Sequence, residues 1–184
     1  FIRTTETRHA KSVENLWNIL EKKGEIYLSK YSGWYSVSDE AFYTESEIED
    51  LDGAKKAITS GSKVEWVEEE SYFFKLSAWS QKLLNHYNTH PNFILPSSRS
   101  NEVKRFVEKG LKDLSISRTS FSWGIPVPDN KKHVIYVWLD ALTNYLSAIN
   151  FPDTNDIKYK SFWPADVHII GKDILRFHAI YLPA

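Results

Sequence analysis

His168-Ile-Ile-Gly-Lys-Asp-Ile-Leu-Arg-Phe-His178 is the stretch that decides the fold. An apolar run ends at Gly171. Asp173, Arg176 and His178 then fall in what the pattern predicts as the first turns of a helix. Polar groups at such a junction are where an open α/β sheet meets a ligand. Upstream, His133-Val-Ile-Tyr-Val-Trp-Leu-Asp-Ala-Leu-Thr-Asn-Tyr145 has the same strand-then-helix character. Two such crossings within residues 133–178 predict half of a nucleotide-binding α/β domain. Its strands, 133–138 and 167–170, are expected to run parallel through a right-handed crossover. Each leads into a helix, 140–149 and 173 onward.

Working outward, the polar residues 152–160 read as the connecting loop. Gly124-Ile-Pro-Val-Pro128 is predicted to be extended, because each proline disfavours helix in the residue before it. Ser100 to Lys109 is a short helix with Val103, Phe106 and Val107 inward and Gly110 as its stop. Ser77 to Asn88 is another, with Ser77 as N-cap and Trp79, Leu83, Leu84 and Tyr87 on one apolar face. Residues 25–75 look β-rich and irregular: Ile26-Tyr-Leu28, Gly33-Trp-Tyr35 and Glu65-Trp-Val67 are short β-type runs. Asp50-Leu-Asp-Gly53 and Thr59-Ser-Gly-Ser62 read as loops, and Glu68-Glu-Glu70 as a solvated turn or helix start. Thr5 to Lys23 is a helix: Val13, Leu16, Trp17 and Leu20 recur at helical spacing and Gly24 closes it.

Composition narrows the class. Hydrophobic residues make up 42% of the 184 and aromatics 15%, enough for a sizeable core. The net charge of −1 gives no bulk attraction to nucleic acid. There is no cysteine, which excludes disulfides and thiolate zinc sites. No apolar run approaches the roughly 18 residues of a membrane span, and no signal segment opens the chain. Methionine is absent even at position 1, so the sequence is expected to be an internal fragment of a longer protein.

The chemistry-bearing residues each carry two readings. Asp173 is an acceptor for ribose hydroxyls or, as spacing alone favours, a helix N-cap. His178 faces the same cleft or is a core histidine. Trp138 and Tyr145 wall a pocket or are simple core. Lys172 and Arg176 meet phosphate or form a solvated basic face. His86 and His90 have the i, i+4 spacing of a metal pair, but no third ligand is apparent. Catalytic-triad motifs and the phosphate-binding P-loop pattern are missing.

Several segments in fixed order resemble one family. They include Phe1-Ile-Arg-Thr-Thr with His9, Gly24-Glu-Ile-Tyr with Tyr31-Ser-Gly-Trp-Tyr35, and Asp39-Glu-Ala-Phe-Tyr-Thr-Glu45. They continue through Glu69-Glu-Ser-Tyr-Phe-Phe-Lys-Leu-Ser77, Gly110-Leu-Lys-Asp-Leu-Ser-Ile-Ser-Arg118 and Trp123-Gly-Ile-Pro-Val-Pro128. Val137-Trp-Leu-Asp-Ala141, Gly171-Lys-Asp-Ile174 and Phe177-His178 complete the set. Together they resemble methionyl-tRNA synthetase of bacterial or organellar type, a class I aminoacyl-tRNA synthetase.

The resemblance implies an α/β, Rossmann-type catalytic domain split by a connective-peptide insertion of mixed β and helical structure. Residues 1–24 would end the first half, 25–114 form the insertion, and 115–184 begin the second half. It implies a methionine–tRNA ligase: methionine is activated with ATP and Mg²⁺ and transferred to tRNA(Met). The family's ATP signatures, His-Ile-Gly-His and Lys-Met-Ser-Lys-Ser, do not occur here, so this segment alone is expected to be inactive.

By motif, Trp138, Ala141, Tyr145, Ile174 and His178 would contact methionine. Gly171 and Asp173 would contact ATP, and Arg118 would serve the activation step. Leu142 stands where many members have proline, and Leu182 where many have tryptophan. Ser36 and Ser38 lie where some carry zinc-knuckle cysteines; no zinc is expected, and an aromatic core would hold the insertion. The implied partners are soluble, with no membrane, in a bacterial cytoplasm or an organelle. Two other readings stand beside this one. One is a non-catalytic RNA-binding or interaction module of the same fold. The other is the leucine, valine or isoleucine enzyme, whose editing insertion is larger than residues 25–114 allow.

Overall fold

A computed structural model describes residues 1–39, 41–51 and 53–184. Glu40, within one of the quoted segments, and Asp52, within the expected 50–53 loop, lie outside the described residues. The described residues form two compact units: Phe1–Tyr27 with Tyr72–Ala184, and Leu28–Ser71.

The larger unit begins with α1, Thr7–Lys22, whose Val13 and Trp17 are completely buried as the spacing predicts. Gly24 follows at φ +71, a conformation only glycine adopts at little cost. The strands β1, Ile26–Ser36, and β5, Glu65–Phe74, run through both units. Between them lie β2 (Ala41–Tyr43), β3 (Ile48–Leu51) and β4 (Ala54–Ala57). After β5 come a 3-10 turn at Leu76–Trp79, α2 (Ser80–Thr89) and α3 (Ser97–Glu108). Next are the short strands β6 (Leu114–Ser115), β7 (Ser117–Arg118) and β8 (Pro126–Val127). Then come β9 (Asn130–Ile135), α4 (Trp138–Ala148) and α5 (Ile157–Phe162). A 3-10 turn at Lys172–Ile174 and a π-helical turn at Phe177–Tyr181 end the chain.

The core of the larger unit gathers Val13 and Trp17 of α1, Leu83 and Tyr87 of α2, and Val103 and Val107 of α3 around Ile116, Ile135 and Ile180. Trp17 meets the edge of Tyr72 at 5.1 Å. The Tyr87 hydroxyl donates to the Ala179 carbonyl at 2.6 Å, tying α2 to the π-helical turn. In the smaller unit β2 lies beside β1, pairing Trp34 with Tyr43, and β3 and β4 form an antiparallel hairpin.

Several expectations need correction. Residues 167–170 form no strand, and β9 pairs antiparallel with both β7 and β8. Val167 and Ile169 are 72% and 96% exposed: an apolar run becomes a strand only where neighbouring backbone takes up its N–H and C=O groups, and no described strand does so here. Residues 136–137 leave the strand early, and Trp138 already belongs to the helix. The helix from 173 onward breaks into a 3-10 and a π turn. The 152–160 loop contains the start of α5, whose Asp156 cap accepts from the Lys158 N–H.

Ser77 is no N-cap. It sits inside the 3-10 turn, and its N–H donates to Asp113. Asp50 and Leu51 belong to β3, and Glu68-Glu-Glu70 lies in β5, where alternate side chains reach solvent.

Candidate functional site

The site is built on α4 of the larger unit. Its N-cap, Val137, has φ 29° and ψ −73°, and no side chain caps the helix. A β-branched residue at positive φ is strained, so the turn carrying Trp138 is held by its surroundings rather than by local preference. Trp138 stacks on Phe177 with ring centroids 3.4 Å apart and planes 13° from parallel. On the same stripe of α4, seven residues on, the Tyr145 hydroxyl meets His178 Nε2 at 2.6 Å. His178 Nδ1 lies 2.9 Å from the Ile174 carbonyl. That carbonyl can only accept, so Nδ1 carries the proton, and Tyr145 donates to Nε2 of the neutral ring.

Burial pushes the Tyr145 phenol above its usual value. His168 lies edge-on to Tyr145 at 4.8 Å. Burial, and secondarily repulsion from His178 when that ring is protonated, push His168 below the usual histidine value. Two cavities border the α4 stripe. One, of about 260 Å³, is apolar and includes Leu16 and Leu20 of α1, Trp138, Leu142 and Leu146 of α4, and Leu182. The other, of about 320 Å³, includes Tyr145, Ile149, Trp163, His168 and Ile170.

The structure therefore brings together Tyr145, His178 and the Ile174 backbone, and places Trp138 on the neighbouring Phe177. It does not gather all five residues named for methionine into one cavity. Trp138 lines the first and Tyr145 the second, while Ala141, in the first turn of α4, closes that turn with a bond from its N–H to the Val137 carbonyl. Gly171, not Asp173, is the N-cap residue of the 3-10 turn. The capping reading of Asp173 is thus overturned, and its carboxylate is exposed. Arg118, in β7, donates to Ser115 Oγ and the Ser117 carbonyl and lies over the Tyr136 ring at 4.2 Å. Arg176 lies over Phe106 at 4.2 Å. His86 and His90 stack at 4.3 Å against Phe93, and no described group of three His, Asp or Glu side chains could hold a metal.

Two participants were not assigned roles from sequence. Phe177 was quoted only as a motif neighbour, and nothing local in the sequence pointed to its stack on Trp138. His9 was quoted without a role. It is completely buried, and its Nε2 lies 2.6 Å from Asp140 of α4.

In the smaller unit, polar side chains converge on Asp39. Ser60, Tyr43 and Ser62 donate to its carboxylate at 2.5, 2.7 and 2.8 Å. Ser36 Oγ accepts the Asp39 N–H at 3.2 Å and lies 3.0 Å from Ser38 Oγ. The hydrogen bonds from Ser60, Tyr43 and Ser62, with a smaller one from Ser36, hold the carboxyl down to about 2. Aromatic contacts are present among the described residues here. Trp34 meets the edge of Trp66 at 5.3 Å and lies under Lys55, but Trp66 is half exposed, and the buried positions include Ser36 and Ser71.

Comparison with known proteins covers the whole chain. The family described as tRNA synthetases class I (M) matches residues 1–53 and 49–184. The chain is 55% identical over all its residues to the methionine–tRNA ligase of Mycobacterium tuberculosis (strain ATCC 25618 / H37Rv), 36% of whose length it covers. It is 56% identical to that of Brucella suis biovar 1, covering 36%, and 59% identical to that of Rickettsia prowazekii, covering 35%. It superposes with a TM-score of 0.88 on the crystal structure of Mycobacterium tuberculosis methionyl-tRNA synthetase bound by methionyl-adenylate, at 55% identity, covering 100% of this chain and 36% of that one. The free-state structure of that enzyme gives 0.85, with 37% of its chain covered. The chain thus spans just over a third of the length of these relatives.

Proposed function

The chain belongs to the class I tRNA synthetases, and from that premise we propose that the full-length protein is a methionine–tRNA ligase that activates methionine with ATP and charges tRNA(Met). The observation that carries this is identity of 55–59% to methionine–tRNA ligases along the whole chain. The α/β fold of class I synthetases, shown by the match to solved structures, is the frame in which the site works.

In this reading a methionine carboxylate oxygen attacks the α-phosphorus of ATP. The bond to the bridging oxygen breaks, pyrophosphate leaves, and methionyl-adenylate remains. A terminal adenosine hydroxyl of tRNA then attacks the methionyl carbonyl and AMP leaves. The protein's part is positioning and charge stabilisation. Trp138, Ala141, Tyr145, Ile174 and His178 are assigned to methionine, with Trp138 lining one cavity of this structure and Tyr145 the other. Gly171 and the exposed Asp173 carboxylate take the adenosine ribose, and Arg118 serves the activation step. Mg²⁺ enters with the ATP phosphates. No group of three His, Asp or Glu side chains among the described residues could hold it. The domain limits 1–24, 25–114 and 115–184 belong to the same proposal, as does a bacterial cytoplasmic or organellar setting. No helix among the described residues is long and apolar enough to cross a membrane.

The test is Trp138→Ala in the full-length protein. Loss of apolar contact should cost roughly 2–4 kcal/mol of transition-state binding for methionine. KM for ATP should change little. Pyrophosphate exchange is measured with methionine and ATP varied separately, after folding is confirmed. An unchanged kcat/KM for methionine would return Trp138 to the ordinary core.

A further inference from the structure

The first turn of α4 is the least self-sufficient part of the site. It starts from a valine at φ 29° and has no side-chain cap, so its leading N–H groups and its strained turn need support from elsewhere. A side-chain tie reaches this turn from α1. His9 is 0% exposed, and its two ring nitrogens contact opposite ends of α4: Nε2 lies 2.6 Å from Asp140 Oδ1 in the first turn, and Nδ1 lies 2.9 Å from Ser147 Oγ in the last. A carboxylate can only accept, so Nε2–H donates to Asp140. The Ser147 hydroxyl is also within 3.0 Å of the Thr143 carbonyl, so this end is anchored within α4 itself. Asp140 also suits the positive end of the helix dipole, which adds to its hold on the turn.

We infer that His9 is a positioning residue for the amino-acid side of the reaction, acting through Asp140 to fix the turn that carries Trp138 and Ala141. The inference rests on the proposed methionine-activating function. The logic is geometric. Trp138 is two residues from Asp140 and stacks on Phe177 at 3.4 Å, a contact that a small rotation of the first turn would break. Misplacement by about 1 Å at a positioning group can cost about a hundredfold in rate. Ser147, at the far end of α4, has no comparable lever on Trp138. Gly171 and Asp173, assigned to ATP, lie on a separate 3-10 turn. The expected signature is therefore selective for methionine over ATP.

The experiment uses the full-length protein and three substitutions in methionine-dependent ATP–pyrophosphate exchange. Asp140→Ala, at a half-buried position where alanine favours helix, should raise KM for methionine about tenfold and leave KM for ATP within about twofold. His9→Gln places an amide N–H where Nε2–H was and should recover most of the methionine affinity that His9→Ala loses. Ser147→Ala should leave both constants unchanged. Retention of wild-type methionine KM by Asp140→Ala would overturn the inference. So would an equal rise on Ser147→Ala, because the effect would then be general docking of α1 on α4. A wild-type protein that exchanges pyrophosphate with no amino acid would instead overturn the proposed function, and this assignment with it.

Discussion

The α4 site and the Asp39 cluster are both organised by polar side chains, but they are supported in opposite ways. Around α4 the hydrogen bonds of His9 with Asp140 and of Tyr145 with His178 tie the helix to α1 and to the π-helical turn, beside a large apolar core. Around Asp39 the hydroxyl groups of Ser60, Tyr43 and Ser62 converge on a single carboxylate. Among the described residues of the smaller unit, Ala57 and Val64 are the buried apolar ones, and one carboxylate collects three hydroxyl donors. The difference teaches what each region should respond to. A packed region answers first to lost volume. A region tied through one carboxylate answers to the charge on that carboxylate.

The largest effect should come from the core. Trp17 is completely buried, and its indole N–H has no hydrogen-bond partner among the described residues. Trp17→Ala should cost about 3–5 kcal/mol through cavity formation. Trp17→Phe should cost far less, because no hydrogen bond is lost. Urea titration followed by circular dichroism measures both. If the two variants lose the same stability, the indole N–H has a partner, and the larger unit depends on polar contacts as the smaller one does.

A more local effect is expected at Asp39. Its folded value, about 2, lies below the unfolded value near 4. The charged form is therefore favoured by folding, and the stability it contributes is complete above about pH 4. That contribution is lost as the pH falls from about 4 through 2. Two-dimensional amide NMR spectra on acidification should show residues 28–71 losing their native shifts before the α1 and α4 residues do. Asp39→Asn should make the smaller unit less stable at neutral pH and remove its acid step. An acid step that persists in Asp39→Asn would place the titrating group elsewhere.

The same contrast explains what could be read without coordinates. The α1, α2 and α3 helices were legible because Val13 and Trp17, Leu83 and Tyr87, and Val103 and Val107 repeat at helical spacing and are buried where that spacing puts them. Strand 167–170 was misread because apolar content states a capacity to pair, whereas pairing needs neighbouring backbone. The β-rich character of 25–75 was visible, but its continuous strands were not, because polar residues such as Glu68-Glu-Glu70 interrupt the apolar pattern on faces that reach solvent. Trp138, Tyr145 and His178 were named from motifs. The Phe177 stack and the His9–Asp140 bond join residues far apart in sequence, and no local pattern encodes such a pairing. The Asp39 cluster was hidden for a similar reason: serines at 36, 60 and 62 look like turn residues until the chain folds them onto one carboxylate.

The smallest effect separates packing from hydrogen bonding within the site. Tyr145→Phe keeps the ring that lies edge-on to His168 and His178 and removes only the hydroxyl. His178 keeps its bond to the Ile174 carbonyl, so its ring orientation should survive, and Nε2 loses its protein partner. Both side chains are half-buried, so water can reach the vacated acceptor and offset part of the loss. The expected cost is then about 1 kcal/mol, the ordinary net worth of one hydrogen bond. Urea titration of Tyr145→Phe measures this cost. The ring-nitrogen shifts of His178 by NMR should still report a proton on Nδ1. A loss above about 3 kcal/mol would mean that the acceptor is stranded away from water, making this pair as indispensable to its region as Asp39 is to the smaller unit. A proton moved to Nε2 would mean that Tyr145, and not Ile174, sets the tautomer of His178.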